Sequence, residues 1–431
     1  MKNIFKKIGS SELVNTSIFT GIATAIKLLT AFLTAKIIAI YLGPMGLGLL
    51  GQVNSFLSII MVLSTGAITN GVVKYLSEFS ETKTIQLRII KAAFIITCIC
   101  SIVVSITTIL FSQFWSSLLF KENTSEYKSI ITILGFTVFF YASFTLFTSV
   151  LNGLKEFKKF NYLGIITSLV GLFFSILLIT RYGVYGALLA AVTYQSVIFI
   201  FIFVFKNKIP LLNFTELKQV RTEKTDYHNL FKFSTMALVS SILLPVSQII
   251  IRNYITEELN SNIMGFYEGI NRLSSLYLTL ITTTLSIYYL PKLSGLNDKQ
   301  LIRKEILNGY KLILPTTFII LCLVYLLRNF IINIAFTGSF NEMESFFLPQ
   351  LIGDFFKIAS WLLAFQMLAK AMVKMYIITE LLFSILIIVL THFLINLFGG
   401  VGAVYAYMVN YFIYFITMVI IFNKTIYDRQ R

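Results

Sequence analysis

Ser345 to Lys370 reads SFFLPQLIGDFFKIASWLLAFQMLAK. A stretch this long and apolar forms a helix that reaches across about 30 Å of hydrocarbon. Asp354 and Lys357 nevertheless lie well inside it. With Gln350 and Trp361 they fall at i, i+4, i+7 and i+11, so all four project from one side of the helix, with Phe, Ile and Leu over most of the rest. An ionised group near the centre of a spanning helix costs about 2.5–3.5 kcal/mol, against a gain of about 0.3–0.6 for each Leu, Ile or Phe. Such a stripe cannot face lipid. It faces protein or a wet cavity, and intramembrane charge of this kind points to a transport pathway.

The rest of the chain repeats the apolar pattern. Of its 431 residues 57% are hydrophobic and 13% charged, about half the roughly 25% charged share of soluble domains. About twelve stretches are each long enough to span as helix: 14–41, 47–73, 91–115, 128–152, 161–181, 185–206, 231–255, 264–290, 310–335, 347–370, 375–398 and 401–423. None alternates polar and apolar residues as the strands of a membrane barrel do. The expected fold is an all-α membrane protein of about twelve transmembrane helices.

A net charge of +16 raises the question of nucleic acid, and its placement answers it. Roughly 26 of the 35 Lys and Arg fall on the even-numbered loops and the termini, which is the positive-inside pattern. Both termini are therefore expected in the cytoplasm, and no nucleic-acid partner is implied. Most of this charge comes from Met1 to Lys7, Leu154 to Lys159, Lys206 to Lys232 and Asp298 to Lys311. Met1 to Lys7 is not expected to begin a cleaved signal peptide, because GSSELVNTS separates it from the apolar run and Lys27 would interrupt that run. Cys98, Cys100 and Cys322 sit in apolar segments without zinc-ligand spacing, and read as packing thiols. There is no Walker-A sequence, nucleophile elbow, HExxH or dinucleotide glycine fingerprint. Neither an enzyme nor a bound cofactor is expected.

Three features recur at nearly one spacing. Gly186-Ala187-x-x-Ala190 returns as Gly402-Ala403-x-x-Ala406, Lys158 as Lys374, and Lys74 as Lys292. The first two pairs stand 216 residues apart and the third 218, which argues for an internal duplication. Two six-helix lobes follow: residues 1–210, a basic cytoplasmic linker 211–230, and residues 231–431. Each lobe holds an even number of spans, so the two share one orientation and are related by an axis along the membrane normal. Pro245 is expected to interrupt the seventh span, Pro315 to kink the ninth, and Gly43-Pro44 to close the turn between the first two.

Further polar residues stand inside or at the ends of the spans. Lys27 lies near the middle of the first span, too deep to snorkel easily, whereas Lys36 is nearer its outer end. Glu268, Asn271, Arg272 and Ser275 form a second stripe, with Glu268 and Arg272 spaced to pair. Asn70 and Lys74 are one turn apart at the inner end of the second span. Lys27 and Lys357 supply positive charge suited to an anionic ligand, with Arg272, Asn70 and Lys74 as further candidates to hold it. Asp354 and Glu268 are the candidates for ion coupling or gating. Asp354 with Lys357, and Glu268 with Arg272, can equally be ion pairs that lock helices together, and Glu380 can pair with Lys374. Tyr194, Gln195, Tyr407, Asn410 and Tyr411 are polar enough to hydrogen-bond sugar hydroxyls, though Tyr is also at home in helix packing.

Several motifs now occur in order: Gly43-Pro44-x-Gly-Leu-Gly, Asn70-Gly71-Val72-x-Lys74-Tyr75, Phe233-x-x-Met236-Ala237-Leu238 leading to Leu244-Pro245-Val246, Tyr289-Leu290-Pro291, Gln350-Leu351-x-Gly353-Asp354-x-x-Lys357, and Ala369-Lys370-Ala371 ahead of Tyr376-Ile377 and Glu380. Along essentially its whole length the chain resembles the bacterial O-antigen and lipid III flippases, a branch of the multidrug, oligosaccharidyl-lipid and polysaccharide exporter superfamily. The resemblance implies two lobes around a cationic cavity in the bacterial inner membrane. It implies export of an undecaprenyl-pyrophosphate-linked oligosaccharide, with a polysaccharide polymerase and chain-length proteins as partners besides the lipid-linked oligosaccharide and the bilayer. Asp354 and Lys357 match the family pattern. Two other readings are a cation-coupled multidrug antiporter of the same superfamily, for which Asp354 speaks and the deep lysines do not, and a non-transporting scaffold of a polysaccharide assembly complex, which needs no buried charge.

Overall fold

A computed structural model describes residues 12–121, 124–200, 214–232, 234–296, 298–370 and 372–422. The basic run Met1–Lys7, residues 201–213 of the expected sixth span and linker, Phe233 and Ala371 lie outside the described residues. Among those described there is no strand. Among the described residues eight helices are long and apolar enough to cross a membrane, so this is a multi-pass helical membrane protein. Two of the eight are double. Helix α1 (Glu12–Ser64) turns at Gly43, with φ 64° and ψ −163°, and the helix numbered α6 below turns at Gly183. Backbone of this kind is almost closed to residues with a Cβ, so a single glycine joins two helices without a loop.

The chain divides into two compact units, Met1–Tyr41 with Val53–Ile242, and Leu42–Gln52 with Leu243–Arg431. In the first, α1 is followed by α2 (Thr69–Glu78), α3 (Lys83–Leu110), α4 (Ser112–Leu119), α5 (Thr124–Gly153) and α6 (Phe157–Ile198). A core of Val72, Leu76, Ile89, Ala93, Leu146 and Val150 joins α2, α3 and α5. The described part of the expected linker is folded onto this unit as two short helices, α7 (Phe214–Gln219) and α8 (Lys224–Lys232). Arg88 holds it by a fork to Asp226, at 3.1 and 3.0 Å, and a contact of 2.5 Å to Glu223. Lys83 pairs with Glu216 at 2.8 Å, and the Lys91 ammonium donates to the Val220 carbonyl at 2.7 Å.

The second unit contains α9 (Ser234–Glu258) from Leu243 onward, α10 (Ser261–Thr284), a π-helical turn Leu285–Tyr289, α11 (Leu290–Gly295), α12 (Lys299–Leu326), α13 (Arg328–Ala335), a 3₁₀ stretch Gly338–Phe346, α14 (Phe347–Ala369), α15 (Val373–Phe398) and α16 (Val401–Ile421). Its core gathers Leu285, Ile306, Leu362, Leu363, Met367 and Met418 from four of these elements. Pro245 and Pro315 do not end their helices: α9 and α12 each run through the proline. Neighbouring helices supply enough packing to offset one missing amide donor.

The duplication is visible in the backbone. Helix α3 and α12 have the same length and start 216 residues apart, as do α4 and α13; α5 and α14 end at Gly153 and Ala369 with the same offset. Gly183 and Gly399 carry it too, with φ of 57° and 60° and ψ of −132° and −143°. The Lys74 and Lys292 pair departs from it because the copies differ locally. One breaks at Gly66 and Ala67, both at positive φ, where the other continues through the π-helical turn.

Candidate functional site

Helix α14 places the stripe read from the sequence inside the second unit. Gln350 and Asp354 are both 0% exposed, and Lys357 and Trp361 half-buried. Each Asp354 oxygen is occupied. Ser274 and Tyr277, one turn apart on α10, donate to Oδ2 through short hydrogen bonds, and the Tyr407 hydroxyl on α16 donates to Oδ1 at 2.6 Å. Gln350 donates to Ser274 at 3.3 Å, extending the network by one residue. A buried carboxylate is tolerable because hydrogen bonds replace the water it gave up.

Asp354 and Lys357 form no direct ion pair among the described residues, in contrast to one of the expectations for them. Tyr407 stands between, accepting from the Lys357 ammonium at 3.1 Å and donating to Asp354. The ammonium lies over three rings instead: Tyr411 at 4.8 Å, and Trp361 and Tyr407 at 5.2 Å each. Cation–π contacts of this kind contribute about 0.5–2 kcal/mol apiece, more as water is excluded.

Glu268 and Arg272 pair as their spacing predicts, with Arg272 Nε 2.7 Å from the carboxylate. Sequence reasoning missed a third member. Arg252, buried on α9, donates to the other Glu268 oxygen at 2.7 Å, so one acid is held between two guanidinium groups. The rule that singles out charge inside apolar spans applies to Arg252 as well, since it stands three residues inside the expected end of the seventh span. Glu380 forms no ion pair with Lys374 among the described residues, and Lys374 is exposed.

In the first unit, Lys27 is half-buried on α1 with its ammonium 5.6 Å from the Phe160 ring centre. Asn161 donates to Thr20 at 2.8 Å and fixes α6 against α1. One turn along α6, a Cβ at Gly164 would fall on the Lys27 ammonium, so the absence of a side chain there makes room for the charge. No carboxylate pairs with Lys27 among the described residues. Asn70 and Lys74 lie on the exposed face of α2, with Lys74 over the Tyr75 ring and 4.0 Å from Glu78. Gln195 donates to the Tyr194 hydroxyl at 2.7 Å.

The other copy supplies a comparison. At the offset of 216, the α5 positions matching Gln350, Asp354, Lys357 and Trp361 are Leu134, Val138, Tyr141 and Thr145. Leu134 and Val138 are 0% exposed, like the polar residues they match. The helix does its packing with apolar residues in one copy and with an ionisable stripe in the other.

These features define a class: a duplicated, multi-pass helical membrane fold with charge inside its spans. Its architecture is similar to that of a multidrug resistance MATE family transporter in an inward-facing conformation (TM-score 0.76, 11% identity, covering 95% of this chain and 96% of that one). It is also similar to that of the lipid II flippase MurJ in an inward closed conformation (TM-score 0.74, 16% identity, 95% and 87%). The chain belongs to the polysaccharide biosynthesis protein family, whose model matches residues 37–345. It is 28% identical over 404 residues to the lipid III flippase of Escherichia coli (strain K12), covering 94% of this chain and 96% of that protein, and matches the lipid III flippase of Shigella flexneri to the same extent.

Proposed function

We propose that this protein is a flippase. It carries an undecaprenyl-pyrophosphate-linked oligosaccharide, the repeat unit of an O-antigen or related surface polysaccharide, from the cytoplasmic to the periplasmic leaflet of the bacterial inner membrane. The observation that carries the reading is a pair of half-buried ammonium groups within the spans, Lys27 and Lys357, neither in direct ion pair with a carboxylate among the described residues. Charge placed there costs free energy that folding alone does not demand, and a pyrophosphate is a ligand that returns it. The family membership and the relatives named lipid III flippases support the substrate class.

In this reading Lys27 and Lys357 attract the pyrophosphate, with Arg272, Asn70 and Lys74 as further contacts along the path. The sugars meet tyrosine and amide side chains, and the polyprenyl tail stays in lipid. Twelve spans with both termini in the cytoplasm, alternating access between two lobes, and coupling or gating by Asp354 and Glu268 complete the mechanism. A polysaccharide polymerase and chain-length proteins act on the exported unit.

The test is complementation of a bacterial strain lacking its own lipid-linked oligosaccharide flippase, with membrane levels checked by immunoblot. The wild type should restore surface glycan, and Lys27→Ala and Lys357→Ala should each abolish it at normal membrane levels. Full export by both variants would remove the proposed anion site. One observation favours a second reading: the fold is shared with multidrug transporters and Lys357 is ringed by aromatics. Efflux of cationic dyes without glycan export would select it.

A further inference from the structure

We propose that Trp361, Tyr407 and Tyr411 form an aromatic box for an alkylammonium ion, and that this chain fills the box with its own Lys357. Three ring centres lie within 5.2 Å of the ammonium. A tethered amine needs only one such contact. Three faces around one ammonium are the arrangement by which proteins recognise free methylated and alkylated amines. The walls are fixed independently of the lysine. Tyr407 and Tyr411 pack edge to face with centres 4.7 Å apart, and the Tyr407 hydroxyl is anchored on fully buried Asp354.

The inner wall completes the chemistry. The Tyr407 hydroxyl accepts from the ammonium at 3.1 Å and passes its own proton toward the carboxylate, so the box ends in a hydrogen-bond acceptor backed by negative charge. That is a site for a primary alkylammonium, occupied by a covalently attached one. Lys357 thereby bars free organic cations from this place. Shortening the side chain should uncover the site and convert an anion-attracting position into a cation-binding one. The inference concerns the second unit alone and holds whatever the carrier exports.

The probe is n-propylammonium, which supplies what Lys357→Ala removes: three methylene-length carbons and the amine. Of the two tryptophans in the chain, Trp115 is replaced by Phe so that Trp361 fluorescence reports on the box. The purified Lys357→Ala protein should show saturable quenching by n-propylammonium, about tenfold tighter than by n-propanol of similar size. Wild type and Lys357→Met, whose side chains fill the box, should show none. Equal response to the alcohol, equal response in the filled proteins, or no response in folded Lys357→Ala overturns the assignment. Should Lys357→Ala aggregate, n-propylammonium present during extraction is expected to restore folded protein, and failure to do so also counts against the box. Complementation is scored separately in cells, so loss of the flippase reading and loss of this one are distinguishable.

Discussion

Tyr407 ties together two residues that sequence spacing alone pairs directly. Its hydroxyl accepts from the Lys357 ammonium and donates to the Asp354 carboxylate, and so serves both. Tyr407→Phe should leave one carboxylate oxygen without its donor and lower stability by about 1–3 kcal/mol, read as a fall in the thermal unfolding midpoint in detergent. Gly164→Ala tests the other ammonium. The obstructed atom is the end of a flexible side chain, so the protein should reach normal membrane levels, while glycan export falls because Lys27 is displaced. Asp354, Lys357, Glu268, Arg272 and Lys27 were legible in the sequence because charge inside an apolar run stands out. Ser274, Tyr277 and Tyr407 were not legible as partners of Asp354, since hydroxyl side chains occur throughout helices and only proximity assigns them.

At the scale of elements, the tight joins at Gly183 and Gly399 are made by the same backbone conformation 216 residues apart. Alanine at either position should cost about 1–3 kcal/mol, and nearly the same amount at both, because the penalty arises from the backbone itself. Parallel unfolding curves of the two variants check it; a large cost at one alone would mean that local packing dominates. The apolar spans and the repeat were readable from composition and from three residue pairs. Two features escaped. Nothing in the residue pattern distinguishes a proline that ends a helix from one that α9 or α12 runs through. The docking of α7 and α8 depends on Arg88 meeting Asp226, a pairing across 138 residues that charge counting does not register.

For the whole molecule, the relation between the copies permits a cleaner test of the stripe than single truncations. Gln350→Leu, Asp354→Val, Lys357→Tyr and Trp361→Thr together give α14 the residues that α5 carries at the matching positions. Leu134 and Val138 are packed to zero exposure in α5, so this chimera should insert and reach the membrane at wild-type levels while glycan export is lost. Failure to insert would instead show that the stripe is needed for folding of this unit.

That same inequality between copies bears on the arithmetic of transport. A carrier built from two equal halves would offer two equivalent carboxylates to a coupling ion. Here the first copy has Val138 where the second has Asp354, so under the coupling proposed for Asp354 the first copy offers no second carboxylate at the matching position, and this pair of positions holds at most one ion in a cycle.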